Sequence, residues 1–320
     1  MADETEPPRP SSGRRGRPLS KNEFQAQVKA GRERFEEANQ KITARTGRNL
    51  LYAILIGVAM GAVLVVSLVL IKEVFMVLAA AVTAFCTLEL IMAFRKATPV
   101  HVPRIPSMIT AIAVVPAAYY WQAAGQWLVF LGGVLLIALW RLAEAGLRRP
   151  AVDDGRRLLR DLAAGTFVQV YVSFLGSTAI LLLSKDGGQW WVLAFIAVVV
   201  LTDTGAYATG LNFGKHPMAP TISPKKTWEG FAGAVVIAVI GGVLLSIFLL
   251  HEPWWFGLLF GLLISLTATV GDLCESLLKR DIGIKDMSSW LPGHGGLLDR
   301  LDSILPSAAV AYVLYVLITG

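Results

Sequence analysis

The sequence predicts an all-α, polytopic integral membrane protein, a helical bundle of about nine transmembrane helices with a cytoplasmic N-terminus. Of its 320 residues, 55% are hydrophobic and only 16% are charged, whereas soluble domains carry roughly 25% charged residues. Several apolar runs reach about 18 residues or more, long enough to cross a hydrocarbon core of about 30 Å. The runs are continuous rather than alternating, which excludes the strands of an outer-membrane barrel.

The apolar runs also predict an orientation in the membrane. With the N-terminus inside, 27 of the 29 Lys and Arg residues fall on the inner side, and only Lys72 and Lys185 fall outside. Such an asymmetry is what the positive-inside rule demands. The candidate spans are 50–71, 73–94, 105–121, 126–141, 166–184, 189–210, 230–250, 254–275 and 302–319.

Three regions follow from this pattern. Residues 1–48 are polar and predict a disordered or amphipathic cytoplasmic tail without a cleavable signal peptide, so that the first span acts as an uncleaved anchor. Residues 49–165 form an N-terminal transmembrane region, and residues 166–320 form a catalytic transmembrane region with long cytoplasmic loops. The outer loops are short, so we expect the active site on the cytoplasmic face of the inner (plasma) membrane.

Composition also limits the partners. The net charge of +6 is explained by the inner loops and does not indicate a nucleic-acid partner. Cys86 and Cys274 form no CxxC pair, which argues against a zinc site or a disulfide framework. The pairs Gly57xxxGly61 and Gly257xxxGly261 are candidate helix-packing faces, and a homodimer through either is left open.

Five carboxylates near the predicted inner membrane face are candidate functional groups. A carboxylate at such a depth costs at least a few kcal/mol unless it is paired or binds a metal. Oxygen ligands without a His or Cys cluster suit a hard cation, so they predict Mg²⁺ as cofactor. The alternative interpretation is salt bridging with nearby Lys and Arg residues. The five are Asp203, Asp272, Glu275, Asp299 and Asp302.

Glu89 stands apart, in the middle of the second predicted span. It has no companion carboxylate near it in its helix, unlike the paired carboxylates above. Two interpretations remain open: it pairs with a residue of another span, or it lines the substrate groove.

Basic and hydroxyl side chains in two inner loops predict phosphate binding. In the loop 213–230, Ser223, Lys225, Lys226 and Thr227 directly precede a helix start, where free backbone N–H groups attract anions. Simple positive-inside residues are the alternative. Residues 276–303 supply a second set: Ser276, Lys279, Arg280, Lys285, His294 and Arg300. Carboxylates for a cation together with basic groups for phosphates indicate a metal–nucleotide site.

Known nucleotide motifs do not fit. The run Gly210-x-x-x-Gly214-Lys215-His216 is one residue too short for a P-loop, and His216 stands where Ser or Thr is required. No G-x-G-x-x-G follows a strand. Asp154-Gly155 is followed by Arg-Arg-Leu-Leu, unlike the CDP-alcohol phosphotransferases.

The segment 276–302 resembles the C-terminal signature of the phosphatidate cytidylyltransferases, also called CDP-diacylglycerol synthases. The segments DTGAY (203–207) and ISPKKTWEG (222–230) are similar to other cytoplasmic-face segments of that family. The resemblance is strong from about 200 to 303 and weak in the first 165 residues. The matching signature residues are Ser276, Lys279, Arg280, Lys285, Asp286, Ser288, Leu291, Pro292, His294, Gly295, Gly296, Asp299, Arg300 and Asp302.

The resemblance implies an integral membrane enzyme that makes CDP-diacylglycerol and pyrophosphate from CTP and phosphatidate with Mg²⁺. It implies Asp272 and Asp299 as metal ligands, with Asp203, Glu275 and Asp302 as second choices. The implied catalytic residues are Asp272, Asp299, Lys279, Arg280 and His294. The implied substrate-binding residues are Ser223, Lys225, Lys226, Thr227, Ser276, Lys285 and Arg300.

Two other functions are weighed against this one. A CTP-dependent polyprenol or lipid kinase would share features of the CTP site but would release CDP rather than pyrophosphate. A transporter would use its intramembrane carboxylates as an ion path, but transporters often carry charge at mid-span and internal repeats. Here the charge clusters at one face of the membrane, which favours the enzyme.

Overall fold

The structure, a computed structural model, describes residues 50–147, 154–288, 290 and 295–319. Residues 60–320 form one compact unit, and residues 1–59 form another, of which only the first half of a helix is described. The tail 1–48 and His294 therefore lie outside the described residues. The boundary predicted at residue 165 stays a prediction.

The described residues are predominantly helical, as predicted. The helices are α1 (Leu50–Leu70), α2 (Lys72–Ala97), α3 (Arg104–Tyr120), α4 (Gln122–Gly146), α5 (Asp154–Val168), α6 (Leu175–Leu183), α7 (Gly188–Phe213), α8 (Trp228–Leu245), α9 (Trp254–Asp281) and α10 (Ile304–Thr319). A π-helical turn, Gln169–Phe174, joins α5 to α6, and another, Ser246–Leu250, extends α8. We call each continuous helix a rod and count α5, its π-helical turn and α6 as one rod. Each of the nine predicted spans then corresponds to one rod.

Six of the rods are long and apolar enough to cross a membrane: Lys72–Ala97, Gln122–Gly146, Gly155–Leu183, Gly188–Phe213, Trp228–Leu250 and Trp254–Asp281. The remaining three helices are α1, α3 and α10. Helix α1 has 21 residues without a charged side chain, and α10 has 16 residues. Helix α3 has 17 residues, with Pro116 inside it. The structure thus supports a multi-pass bundle: six rods are long and apolar enough to cross a membrane, α1 has a comparable length, and α3 and α10 are shorter.

A short β-hairpin interrupts the helices, in a segment for which the sequence predicts only a loop. Strand β1 (Pro217–Ala219) pairs antiparallel with β2 (Ser223–Thr227). The side chain of Thr227 then caps α8, because its Oγ1 accepts the Gly230 N–H at 3.1 Å. The hairpin therefore places β2 directly at the N-terminus of α8.

Glycines allow α8 and α9 to pack closely. A β-carbon added at Gly257 would lie 2.5 Å from the Cα of Val243, and one added at Gly261 would lie 2.4 Å from the Ala238 carbonyl oxygen. The pair Gly257xxxGly261 thus serves contact within the chain, and this face is not free for a second copy. The homodimer predicted as an option through this pair would need another surface.

Two hydrophobic clusters form the interior of the bundle. The larger one contains Phe195 on α7 and Phe256 and Phe260 on α9. The smaller one joins α2 to the segment before α10, through residues such as Leu90 and Leu298, both fully buried. This second cluster positions the short 3₁₀ turn Leu298–Arg300, which carries part of the candidate site.

Candidate active site

A cavity of about 470 Å³ lies between the ends of α7 and α9, the hairpin and the 3₁₀ turn. Nine of the residues predicted from the sequence line it: Asp203, Lys225, Lys226, Thr227, Asp272, Lys279, Asp299, Arg300 and Asp302. Its volume falls in the range of small-molecule sites, about 300–1,000 Å³. The two loops predicted to bind phosphate therefore face one shared space.

The hairpin is linked to α9 by an ion pair. Lys226 Nζ lies 2.5 Å from Asp272 Oδ2, and the two side chains are 24% and 32% exposed. The other oxygen of Asp272 accepts a hydrogen bond from Ser276 Oγ at 3.3 Å. Because the pair is partly exposed, it contributes only about 0–1 kcal/mol to stability. Asp272 is therefore held in place without being tightly committed to its partner.

Asp299 accepts more hydrogen bonds than Asp272 does. Its Oδ1 accepts a hydrogen bond from Lys279 Nζ at 2.8 Å. Its Oδ2 accepts the backbone N–H groups of Gly296 at 2.8 Å and Met287 at 3.1 Å. Burial acts to raise the pKa of Asp299, but interactions with the side chains of Glu275 and Lys279 and with the Gly296 N–H outweigh it and hold the pKa below its usual value. Asp299 thus stays charged and fastens the loop before the 3₁₀ turn.

Glu275 lies outside the cavity and is fully buried. Its Oε1 is 3.2 Å from Lys279 Nζ, but neither carboxylate oxygen accepts a hydrogen bond from a described residue. Within the described part of the chain, no three His, Cys, Asp or Glu side chains come close enough together to hold a metal ion by themselves. The metal ligands predicted from the sequence stay a prediction.

The structure shows which of the two interpretations of Glu89 applies. It is fully buried in α2, and it pairs with the loop rather than lining the cavity. Its Oε2 accepts the Leu298 N–H at 2.8 Å, and its Oε1 accepts a very short hydrogen bond from Ser288 Oγ. A β-carbon added at Gly296 would clash with this carboxylate. Glu89 therefore anchors both ends of the loop that carries Asp299.

Three other predicted residues do not line the cavity. Arg280 Nε donates to the Ile222 carbonyl oxygen at 3.3 Å, which ties the end of α9 to the hairpin turn. Ser223 begins β2, and Lys285 is exposed in the loop after α9. Neither of these two lines the cavity. The structure thus brings nine predicted residues together at the cavity and leaves these three, as well as Glu275 and Ser276, outside its lining.

Three Ser and Thr residues of the cavity wall are not among the predicted site residues: Thr202, Thr269 and Ser303. Each one is close in sequence to a predicted carboxylate. Thr269 lies three residues before Asp272 and so on the same face of α9. That spacing is a signal that a search for polar neighbours on the same helix face would have found.

Comparison with known proteins decides the family. A model of the "cytidylyltransferase family" matches residues 52–318, which is most of the chain. The chain belongs to the cytidylyltransferase family. The match begins in α1 and ends in α10, so it covers the described helices as well as the signature segment.

Named members of the cytidylyltransferase family are similar over most of their length. The phosphatidate cytidylyltransferase of Mycobacterium bovis is 40% identical over 280 residues, covering 86% of this chain and 91% of the relative. That of Mycobacterium leprae is 38% identical over 298 residues, covering 90% and 94%. That of Staphylococcus epidermidis is 36% identical over 202 residues, covering 63% and 75%. The resemblance found in the signature segment is thus confirmed at the level of the family.

Proposed function

We propose that this protein transfers CMP from CTP to phosphatidate, giving CDP-diacylglycerol and pyrophosphate for phospholipid biosynthesis. The observation that carries the proposal is the cavity in which Lys225, Lys226, Lys279 and Arg300 face a group of aspartates. The relatives named phosphatidate cytidylyltransferase support the substrates. A cavity that joins basic and acidic groups suits a nucleoside triphosphate with its cation.

The proposed reaction depends mainly on neutralising the charge of the phosphates and on aligning the reacting groups. A phosphate oxygen of phosphatidate forms a bond to the α-phosphorus of CTP, and the bond from that phosphorus to the oxygen bridging the α- and β-phosphates breaks. The leaving group is pyrophosphate. Because the nucleophile is already an anion, no strong general base is needed. In-line positioning and electrostatic stabilisation of the transferred group then dominate the rate enhancement.

The lysines of the cavity differ in whether a carboxylate already pairs with them. Lys225 is exposed at the cavity and makes no ion pair with a described residue, so its charge is free for a phosphate. Lys226 is held by Asp272 and is released if Asp272 takes another cation. Lys279 is committed to Asp299 and contributes its charge from a fixed position.

The residues fit Mg²⁺ as a cofactor that arrives with CTP. Mg²⁺ usually keeps several waters and binds to one or two carboxylates together with substrate phosphates, so a cluster of three protein ligands is not required. Asp272 would hold it, with Asp203 or Asp302 beside it, since all three line the cavity. Asp299 is less suited because both of its oxygens already accept hydrogen bonds. The bound cation would neutralise phosphate charge in the transition state.

We further propose a placement in the cell. The 27-to-2 distribution of basic residues supports a multi-pass protein of the inner (plasma) membrane, with the N-terminus and the cavity on the cytoplasmic side. CTP then enters from the cytoplasm, and phosphatidate enters from the bilayer. A homodimer stays a prediction that rests on surfaces other than Gly257 and Gly261.

One experiment tests the reaction. Purified protein in detergent is incubated with CTP labelled in the α-phosphate, phosphatidate and Mg²⁺, and both products are measured. We expect label in CDP-diacylglycerol and an equal amount of pyrophosphate. Release of CDP with label left in the nucleotide would instead indicate a CTP-dependent lipid kinase. Absence of both products from a folded sample would refute the proposal.

A further inference from the structure

A second, smaller cavity lies away from the candidate active site. Its volume is about 340 Å³, and it is lined by Pro99, Val100, Arg157, Arg160 and Asp161. None of these residues lines the larger cavity. The wall is formed by the first turns of α5 and by the segment between α2 and α3.

The acidic member of this wall is already neutralised. Asp161 is 4% exposed, and its Oδ2 accepts hydrogen bonds from Arg141 Nε at 2.8 Å and Arg141 Nη2 at 2.6 Å. Its Oδ1 accepts the His101 N–H at 2.8 Å. A carboxylate that is satisfied in this way no longer repels an anion strongly.

The two arginines keep their charge available. Arg157 and Arg160 lie three residues apart, on one face of α5, and both are exposed. Within the described part of the chain, neither forms an ion pair or a side-chain hydrogen bond. Two guanidinium groups beside a concave surface offer the bidentate donors that phosphate oxygens prefer.

The depth of the cavity indicates the source of the phosphate. The rod Gly155–Leu183 has 29 residues, which gives a length of about 43 Å at 1.5 Å per residue. The hydrocarbon core is about 30 Å thick, and the headgroup layers extend it to about 40–45 Å. Since the apolar part of the rod lies toward Leu183, the first turns of α5 reach the headgroup layer. Leu159, 70% exposed on the same turns, offers an apolar contact beside the arginines.

From these observations we infer that the cavity between α5 and the α2–α3 segment binds the phosphate group of an anionic glycerophospholipid. The site is separate from the candidate active site and does not depend on the proposed reaction. Arg157 and Arg160 hold the phosphate, Val100 lines the floor, and the acyl chains extend along the outer face of α5. Free inorganic phosphate offers the same chemistry, and the experiment separates the two sources.

The test uses the full-length protein in detergent and dioctanoyl phosphatidylglycerol as the probe. This lipid is anionic but is not the proposed substrate, so occupation of the larger cavity by phosphatidate does not enter. Bound lipid is counted by native mass spectrometry over a range of lipid concentrations. The variants are Arg157→Gln/Arg160→Gln and the matched control Arg156→Gln, which removes a neighbouring exposed arginine that does not line the cavity.

We expect the double variant to bind phosphatidylglycerol at least about 10-fold more weakly, because two charge-assisted contacts are lost. Arg156→Gln should bind like the wild type, and dioctanoyl phosphatidylcholine should bind weakly to all three proteins. Melting temperature without lipid and turnover of CTP should be unchanged in every variant. If the double variant does not fold, the single variants Arg157→Gln and Arg160→Gln must each show weaker binding.

Three results would overturn the inference. The first is equal lipid affinity in the wild type and in the folded arginine variants. The second is an equal loss in Arg156→Gln, which would mean diffuse attraction by surface charge. The third is complete displacement of the lipid by millimolar inorganic phosphate, which would assign the site to free phosphate instead.

Discussion

Lys226 of the hairpin and Asp272 of α9 form an ion pair with 2.5 Å between Nζ and Oδ2. The pair joins a residue of the ISPKKTWEG segment to a residue of the helix that leads into the signature segment. Sequence separation gives no hint of this contact. The contact places a cationic side chain that can bind phosphate beside a carboxylate that can bind a metal ion, so both can reach the same substrate. Removing either charge should therefore affect activity more than stability.

For Asp272→Asn, we expect turnover to fall at least about 100-fold, the scale seen when one electrostatic contributor to a transition state is removed. The melting temperature should change little, because a partly exposed ion pair is worth only about 0–1 kcal/mol. Turnover and melting temperature are measured on the same purified sample. Asp281→Asn, at the exposed end of the same helix, is the control and should be normal in both. A destabilised Asp272→Asn that still turns over normally would make Asp272 a structural residue.

For Lys225→Gln, we expect the KM for CTP to rise about 10-fold, the cost of about one charge-assisted hydrogen bond. Lys225 lines the cavity and has no ion-pair partner among the described residues, so the folded state should not be affected. Lys215→Gln is the matched control, since Lys215 is exposed on the same loop but does not line the cavity. Equal KM values in the two variants would remove Lys225 from the binding site.

Removal of divalent metal should abolish activity. The cavity offers carboxylate and hydroxyl oxygens, the ligands that Mg²⁺ prefers. Excess EDTA should therefore stop product formation, and added Mg²⁺ should restore it, while Zn²⁺ should restore it poorly. Product formation is followed with labelled CTP. Full activity in a metal-free sample would show that the aspartates act without a cation.

For Glu89→Gln, we expect both the melting temperature and kcat to fall. The carboxylate accepts hydrogen bonds from Ser288 and Leu298, whereas an amide has one acceptor oxygen and would turn a donor toward one of them. The cost is about 1–3 kcal/mol for a buried donor left unsatisfied. Displacement of the loop should lower kcat by about 10- to 100-fold, with little change in the KM for CTP.

The control for this variant is Glu73→Gln, at the exposed start of the same helix. It should match the wild type in melting temperature and in kcat. A Glu89→Gln protein with normal kcat would limit the role of Glu89 to packing.

Labelling of introduced cysteines tests the orientation in the membrane. In a Cys86→Ala/Cys274→Ala background, Ser223→Cys at the hairpin should react with an impermeant thiol reagent only when the inner face is exposed. Ser184→Cys, beside Lys185 at the other end of the bundle, should react from the outside of intact cells. The reverse pattern would place the cavity on the outer side.

Much of the helical framework could be predicted because hydrophobicity alone defines it. Each predicted span lies on a helical rod, since an apolar run in lipid must satisfy its own backbone hydrogen bonds. The ends of the helices follow less directly from hydrophobicity. The sequence predicts that span five begins at 166, but α5 begins at Asp154, because its first turns are amphipathic rather than apolar. Such an extension carries no hydropathy signal.

The members of the candidate site could be predicted from residue type, but their pairing could not. Carboxylates and basic residues in two loops pointed to one site, and most of them line one cavity. The spacing of residues in the sequence could not show that Asp299 accepts hydrogen bonds from Lys279 and the loop backbone, while Asp272 forms a partly exposed ion pair with Lys226. Such differences depend on contacts between distant segments, which a single sequence does not reveal.

The partners of Glu89 have a consequence for how the protein is made. Ser288 and Leu298 follow it by 199 and 209 residues. During synthesis α2 enters the bilayer before Ser288 and Leu298 have been translated. Until then the side chain of Glu89 lies in the bilayer without its native hydrogen-bond donors, at a cost of a few kcal/mol. A nascent chain that stops short of residue 288 never gains them. Premature termination therefore yields a product with an uncompensated polar group in the bilayer, a mark by which membrane quality control can single it out for degradation.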